Sequence, residues 1–213
     1  MMDARLSPIV AHSLIPVVVI DDADSAPGLA DALVAGGLPV AEVTFRTPAA
    51  ADAIARMSAN SEIVLGAGTV RTAEQVDQAV DAGATYIVSA GLSAAVVRRA
   101  QERGVPVLPG TVTATEILAA MELGLDAVKF FPAETSGGVA AIKALAAPFP
   151  DITFVPTGGV SPKNLADYLA VKSIAACGGS WMCPRDAVKA GDFATIERLS
   201  REAVALVASL KEA

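Results

Sequence analysis

A lysine inside an apolar segment is the residue of this sequence best suited to covalent chemistry. Lys129 is the first lysine of the chain and lies within Ala127-Val128-Lys129-Phe130-Phe131. Burial disfavours the charged amine, and full burial can lower a lysine pKa by up to ~3–5 units. A partly neutral lysine can attack a carbonyl carbon and form a Schiff base. Taken alone, the segment fits a structural lysine that pairs with a buried carboxylate as well as it fits a reactive one.

Charged and apolar side chains alternate in a second segment, Glu42-Val43-Thr44-Phe45-Arg46. Successive side chains of a strand point to opposite faces, so Glu42, Thr44 and Arg46 share one face. We expect the apolar face to pack against helices and the charged face to point into the interior. The same alternation in the other segment allows Lys129 to meet Glu42. Buried ion pairs add little net stability once desolvation is counted, which favours a functional pair over a structural one.

Glycines follow three other apolar runs. The glycines of Gly66-Ala67-Gly68-Thr69 allow a ligand to approach the backbone closely. Thr157-Gly158-Gly159 and Gly178-Gly179-Ser180 each follow a predicted strand, and a helix is predicted to begin at Ser161-Pro162. Glycines expose amide N–H groups, and a helix N-terminus adds positive charge. Either Gly-Gly pair alone is more often a tight turn, but together they favour a phosphate site.

The composition excludes several classes of protein. His12 is the only histidine, which excludes a catalytic triad built on histidine and a His-rich metal site. Cys177 and Cys183 have no metal-ligand spacing and are typical of reduced thiols in a cytoplasmic protein. The net charge of −7 argues against nucleic-acid and anionic-membrane surfaces. We find no signal-peptide core and no apolar run of the ~18–20 residues that a membrane span needs.

Short β-branched runs alternate with longer alanine-rich segments that carry helix signals. The predicted strands are Val17–Ile20, Glu42–Phe45, Ile63–Leu65, Tyr86–Ser89, Val107–Leu108, Ala127–Phe131, Thr153–Pro156 and Ile174–Cys177. Units that recur every ~20–25 residues indicate stacked βα repeats and a parallel sheet. Eight of them favour a (β/α)8 barrel, or TIM barrel, over an open sheet. We predict one such domain over residues 1–213 with an N-terminal helix, and an active site at the carboxyl ends of the strands.

These segments together resemble the 2-keto-3-deoxy-6-phosphogluconate (KDPG) aldolases, a family that includes 4-hydroxy-2-oxoglutarate (KHG) aldolases. The resemblance runs nearly end to end. Its most specific segments are Glu42–Thr47, Gly66–Val70, Lys129–Glu134, Pro156–Pro162 and Gly178–Trp181. One segment departs from the family, because Ser89-Ala90-Gly91 stands where Ser-Pro-Gly is usual. Alanine lacks the φ restriction of proline, so we expect altered specificity or rate with the chemistry retained.

The resemblance implies a metal-independent class I aldolase without a cofactor, which is typically a homotrimer. It implies that Lys129 forms the Schiff base and that Glu42 is the acid and base. It also implies substrate contacts for the remaining motif residues. Arg46 and Thr69 would hold the carboxylate, Phe131 would pack beside the substrate, Thr157 would contact hydroxyls, and Gly158, Gly159, Gly179 and Ser180 would bind phosphate.

Several substrates remain compatible with the sequence. The first is KDPG, cleaved to pyruvate and glyceraldehyde 3-phosphate. KHG, which yields pyruvate and glyoxylate, or an epimeric sugar acid would use the same Schiff base. The glycine segments and Thr157 favour a phosphorylated, hydroxylated substrate without deciding the question. The alternative of a different class is a non-catalytic phosphate-binding barrel, which would have no need of Lys129, Glu42 and Arg46 together.

Overall fold

Parallel strands form the centre of the computed structural model, which describes residues 2–212. Met1 and Ala213, the two ends of the predicted 1–213 domain, lie outside the described residues. The strands are β1 (Leu14–Val18), β2 (Val40–Thr44), β3 (Val64–Gly68), β4 (Tyr86–Val88), β5 (Val107–Leu108), β6 (Gly110–Thr111), β7 (Ala127–Phe130), β8 (Thr153–Pro156) and β9 (Cys177–Gly179).

Helices follow most of these strands. They are α1 (Ser7–Val10), α2 (Ala26–Ala35), α3 (Ala50–Met57), α4 (Ala73–Asp81), α5 (Ala94–Glu102), α6 (Ala114–Glu122), α7 (Gly138–Ala146), α8 (Leu165–Leu169), α9 (Arg185–Ala190) and α10 (Phe193–Glu212). This alternation confirms the predicted α/β class. The predicted N-terminal helix is present as α1, preceded by a 3₁₀ turn at Ala4–Leu6. No helix within residues 2–212 combines the length and apolarity that a membrane crossing requires.

The strands form a mainly parallel, curled sheet in two hydrogen-bonded parts. One part has the order β5-β4-β3-β2-β1-β9 and the other the order β6-β7-β8. Pro109 separates β5 from β6, and its carbonyl accepts a hydrogen bond from the Lys129 amide at 2.9 Å. On the other side, single bridges join Thr157 to Gly178 and Phe154 to Ile174. The two parts are therefore linked by the contact at Pro109 and by these two isolated bridges.

Local signals explain where several helices begin. Thr113 accepts a hydrogen bond from the Glu116 amide, and the Glu116 carboxylate accepts one from the Thr113 amide. This reciprocal capping box satisfies N–H groups that have no partner inside the helix. Thr72 caps α4 by accepting from the Gln75 amide at 3.2 Å. Such caps define the short loops that connect the helices to the preceding strands.

The first and last strands differ from the sequence prediction. β1 begins at Leu14 instead of Val17, and β9 covers Cys177–Gly179 instead of Ile174–Cys177. The two strands pair with each other, with Leu14 opposite Cys177. The last strand was misplaced because glycines are normally depleted from strands. Here crowding requires them, since a Cβ atom on Gly178 would lie 2.4 Å from the Thr157 hydroxyl.

The helix predicted to begin at Ser161-Pro162 is also different. α8 begins only at Leu165 and contains 5 residues. Before it, the Ser161 amide donates to the side chain of Asn164 at 2.8 Å and forms a turn that leads into the helix. The predicted helix is therefore present with a later start, and the contribution of its N-terminus to phosphate binding stays a prediction. α9 was not anticipated, and it places Arg185 immediately after the β9 loop.

Candidate active site

The side chains of Lys129 and Glu42 meet inside the sheet. Lys129 lies on β7 and Glu42 on β2, and these strands are not neighbours. The Lys129 Nζ lies 3.1 Å from Oε1 and 3.4 Å from Oε2 of Glu42. The two residues are only 4% and 3% exposed. The structure thus brings together the pair that side-chain alternation predicted, and it does so where water has little access.

Glycine and tyrosine on the adjoining strands create the space for the carboxylate. A Cβ atom on Gly68 would lie 2.2 Å from Glu42 Oε1, so only glycine fits beside it. Tyr86 packs against Gly66, and its hydroxyl donates to the Ala41 carbonyl at 2.8 Å. Burial raises the pKa of Tyr86 well above its usual value, and the charge of Glu42 adds to the increase. Tyr86 is therefore a permanent donor that supports β2.

Phe131 is near the buried lysine and also lines a cavity. The Lys129 Nζ is 5.1 Å from the centroid of the Phe131 ring, within the range of a cation–π contact. Phe131 also lines a cavity of about 410 Å³. Neither Lys129 nor Glu42 belongs to the cavity lining. The Phe131 ring is thus the contact through which the buried pair adjoins the cavity.

Arg46 and Thr69 form the second charged part of the site. Arg46 lines the same cavity, and its Nε donates to the Thr69 hydroxyl at 3.3 Å. Thr69 has a φ of 59°, in the left-handed region that residues with a Cβ seldom adopt. Such conformations cluster at binding sites, where the surrounding structure holds them. The backbone after β3 therefore holds the Thr69 hydroxyl beside the guanidinium.

The glycines after β8 form a loop whose carbonyl groups accept hydrogen bonds from other parts of the protein. The carbonyls of Thr157, Gly158 and Gly159 accept hydrogen bonds from Ala133, Glu134 and Asn164, respectively. Gly158 and Gly159 have φ values of 98° and 84°, which favour glycine. The bridge between Thr157 and Gly178 engages the Gly158 amide with β9, whereas the Gly159 amide N–H donates no hydrogen bond to a described residue. Both residues line the cavity, and the free Gly159 donor suits an anion.

The β9 loop completes this end of the cavity. Gly179 and Ser180 line it, together with Thr157. The Ser180 amide, like that of Gly159, donates no hydrogen bond to a described residue. A Cβ atom on Gly179 would lie 1.8 Å from the Trp181 ring, which explains why glycine is required there. The residues predicted to bind phosphate thus share one wall of the cavity.

The segment that departs from the family lies at the end of β4. The Ser89 hydroxyl donates to the Gly91 carbonyl at 2.8 Å and closes a tight turn around Ala90. Gly110 packs under this turn, since a Cβ atom there would lie 2.2 Å from the Ala90 carbonyl oxygen. The turn is therefore fixed by a hydrogen bond and by packing, without a proline.

Two residues of the site, Tyr86 and Arg185, were not identified from the sequence. Gly68 was predicted to let a ligand approach the backbone, but the space that it leaves for Glu42 was not foreseen, because this role depends on a neighbouring strand. Arg185 lines the cavity next to the β9 loop. A basic residue so soon after Gly178-Gly179-Ser180 could have indicated Arg185 as a further residue of the anion site predicted there. Within residues 2–212, no three His, Cys, Asp or Glu side chains are close enough to hold a metal ion.

A buried lysine–carboxylate pair beside a cavity lined by two arginines, on an α/β fold, is the arrangement expected of an enzyme of the Schiff-base class. Comparison with known proteins agrees. Residues 7–199 match the family described as "Aldolase: KDPG and KHG aldolase". The chain belongs to this family, which confirms the resemblance seen in its sequence segments.

Individual relatives support the same assignment. The chain is 48% identical over 195 residues to a 2-dehydro-3-deoxy-phosphogluconate aldolase of Treponema pallidum, which covers 91% of this chain and 93% of the relative. It is also similar to the KDPG aldolase of Zymomonas mobilis, whose crystal structure contains 3-phosphoglycerate. The TM-score is 0.90 at 43% identity, and the match covers 97% of both chains. A KDPG aldolase from Legionella pneumophila, with pyruvate captured as a covalent carbinolamine, gives a TM-score of 0.89 at 36% identity, with 94% and 98% covered.

Proposed function

We propose that this protein is a class I aldolase that cleaves KDPG to pyruvate and glyceraldehyde 3-phosphate. The observation that carries the proposal is the 3.1 Å contact between Lys129 and Glu42, both buried beside a cavity that two arginines line. The cost of desolvating both charges offsets most of their attraction, so the presence of the pair needs an explanation other than stability. Schiff-base chemistry supplies that explanation, because it needs an amine and a proton shuttle in contact.

The first half of the reaction joins substrate and enzyme. Lys129 passes a proton to Glu42, the amine so freed attacks the C2 keto carbon, and Glu42 returns the proton to the oxygen to give a carbinolamine. Loss of water then gives an iminium. The Legionella pneumophila relative supports this step, since its structure holds pyruvate as a covalent carbinolamine. Positioned acid–base catalysis of this kind contributes about 10²–10⁴-fold.

The second half breaks the carbon–carbon bond. A base removes the proton from the C4 hydroxyl, C4 becomes an aldehyde carbon, and the electron pair of the C3–C4 bond moves into the iminium. Glyceraldehyde 3-phosphate departs and an enamine remains on Lys129. Protonation of the enamine at C3 and addition of water to the iminium release pyruvate and restore the amine. Glu42 is the carboxylate in contact with Lys129 and serves these proton transfers.

The remaining residues bind the substrate in this scheme. Arg46 grips the carboxylate in the two-bond geometry that guanidinium groups favour, and Thr69 assists it. Phe131 packs against the substrate, and Thr157 contacts its hydroxyl groups. The phosphate contacts the β8 and β9 loops. The residues involved are Gly158, Gly159, Gly179 and Ser180.

We extend the proposal to the architecture. The strands would close into one (β/α)8 barrel domain over residues 1–213, with β5 and β6 as one strand interrupted at Pro109. The bridges from Thr157 to Gly178 and from Phe154 to Ile174 support closure. A cytoplasmic homotrimer is the expected assembly, which sedimentation equilibrium and cell fractionation would test.

KHG is a second candidate substrate, because the family that the chain matches includes KHG aldolases. KHG carries no phosphate and would leave the free amide donors of Gly159 and Ser180 unused. We therefore expect the ratio kcat/KM to be higher for KDPG. A higher value for KHG would transfer the proposal to the second substrate while keeping the Schiff base.

Trapping with pyruvate and borohydride tests the chemistry directly. We expect intact-protein mass spectrometry to show one reduced pyruvate adduct, and peptide mapping to place it on Lys129. Lys129→Ala should abolish both the adduct and turnover, whereas Lys172→Ala, which removes an exposed lysine, should retain them. An adduct on another lysine, or turnover by Lys129→Ala, would contradict the mechanism.

A further inference from the structure

Two arginines are the only charged residues that line the cavity within the described residues. They are Arg46 and Arg185, and no acidic residue lines it with them. Arg46 follows β2 and Arg185 follows β9, and β1 lies between these two strands. The cavity therefore carries positive charge from two separate parts of the sheet, although the protein as a whole has a net charge of −7.

Arg185 adjoins the wall that carries the free amide donors. Ser180, Cys183 and Pro184 line the cavity together with Arg185. The Cys183 amide donates to the Ser180 carbonyl at 3.1 Å and turns the chain between these residues. The turn brings a guanidinium group to the same wall as the Ser180 amide.

Asp21 holds the guanidinium of Arg185 from outside the cavity. Nε of Arg185 donates to Asp21 Oδ2 at 2.8 Å, and Nη2 donates to Oδ1 at 2.5 Å. Asp21 is not part of the cavity lining. A guanidinium has five N–H donors in a rigid fork, so three remain after these two bonds. The Arg185 guanidinium makes no other hydrogen bond to a residue in the described range 2–212.

We propose that Arg185 determines specificity by binding the distal anionic group of the substrate, and that Asp21 is a positioning residue for its guanidinium. The proposal rests on the proposed function and adds a charged contact to the neutral amide donors of the β8 and β9 loops. A phosphate dianion gains from a planar donor fork more than a hydroxyl does. Arg185 therefore favours a phosphorylated substrate over the same sugar acid without phosphate.

Steady-state kinetics of Arg185→Ala with two substrates test the proposal. For KDPG we expect KM to rise about tenfold with kcat within about twofold, because binding is lost while the buried pair is untouched. For unphosphorylated 2-keto-3-deoxygluconate we expect no change. Arg198→Ala is the matched control, because Arg198 also pairs with a carboxylate but lies outside the cavity lining. The two side chains are equally accessible, with 58% of Arg198 and 59% of Arg185 exposed.

The role of Asp21 is tested by a double-mutant cycle. Asp21→Asn should raise the KM for KDPG about threefold, because the guanidinium loses its fixed orientation. The Asp21→Asn, Arg185→Ala double variant should match Arg185→Ala alone, since Asp21 acts only through Arg185. Additive effects of the two substitutions would overturn the positioning role.

A binding measurement separates this proposal from the proposed function. Calorimetric titration with glycerol 3-phosphate needs no turnover, and we expect Arg185→Ala to weaken its Kd about tenfold. An equal Kd in Arg185→Ala and Arg198→Ala would overturn the role of Arg185, as would equal changes in KM for both sugar acids. The pyruvate adduct on Lys129 is independent of either result, so its absence would count against the aldolase mechanism alone.

Discussion

Gly68 and Glu42 are in contact on adjacent strands, and the space above the glycine is filled by the carboxylate. A Cβ atom on Gly68 would lie 2.2 Å from Glu42 Oε1 and 2.5 Å from Glu42 Cγ. Any larger residue on this part of β3 must displace the carboxylate or move the strand. The position of Glu42 beside Lys129 therefore depends on a residue that takes no part in the chemistry.

We expect Gly68→Ala to reduce kcat by at least about 10²-fold, since small displacements of a catalytic group cost that much. The protein should still fold, as judged by circular dichroism. Gly91→Ala is the control, because a Cβ atom on Gly91 meets nothing within 4 Å. Full activity in Gly68→Ala would show that the carboxylate can act from another position.

Replacing Glu42 should affect activity and stability together. Glu42→Gln keeps the shape but removes the proton acceptor, so we expect kcat to fall by about 10²–10⁴-fold. The free energy of unfolding should fall by up to about 3–5 kcal/mol, because Lys129 loses its buried partner. Pre-steady-state trapping with pyruvate measures the effect on activity. Urea unfolding measures the effect on stability.

Glu122→Gln is the control for that experiment, since Glu122 is an exposed carboxylate on α6. It should leave both quantities unchanged. Wild-type rates of adduct formation in Glu42→Gln would remove Glu42 from the proposed mechanism.

The two cysteines should make the protein less stable at alkaline pH. Burial raises the pKa of both Cys177 and Cys183 to about 12, from an ordinary value of 9.0. Above about pH 9 the unfolded chain loses these protons while the folded chain keeps them. The folded state then binds more protons than the unfolded state, so the free energy of unfolding falls as pH rises from about 9 towards 12.

Urea unfolding of Cys177→Ala and Cys183→Ala at several pH values would measure this effect. Each substitution should reduce the decline by up to about 1.4 kcal/mol per pH unit in that window. Other groups also titrate there, so the difference from the unsubstituted protein is the relevant quantity. An unchanged slope in the double variant would show that thiol burial does not contribute.

Ala90→Pro should restore the usual family residue without disturbing the fold. The Ala90 amide donates no hydrogen bond to the described part of the chain, so proline removes none. Because the Ser89 to Gly91 hydrogen bond already closes this turn, we expect less than about a tenfold change in kcat/KM for KDPG. Pyruvate should still form the adduct on Lys129. Loss of the adduct would mean that the proline distorts the site.

Most of the polar part of the site could be anticipated from local patterns. Alternation along β2 placed Glu42 and Arg46 on the same face, and the apolar neighbours of Lys129 marked it as buried. Glycine pairs after two predicted strands indicated residues that share one cavity, although the helix expected at Ser161-Pro162 begins only at Leu165. The strand that ends in Gly178-Gly179 was misplaced, because strand propensity does not record the crowding that makes glycine necessary there.

The sequence by itself determined the βα periodicity, the family and the types of side chain available for chemistry, because these depend on composition and on the order of residues along the chain. Only the tertiary structure decided which of these side chains meet. The contacts between Lys129 and Glu42 and between Arg185 and Asp21 join residues far apart in the chain, on elements whose relative positions follow from sheet order. Likewise, only glycine fits at position 68 because of how the neighbouring strands pack, and local propensity carries no information about that packing.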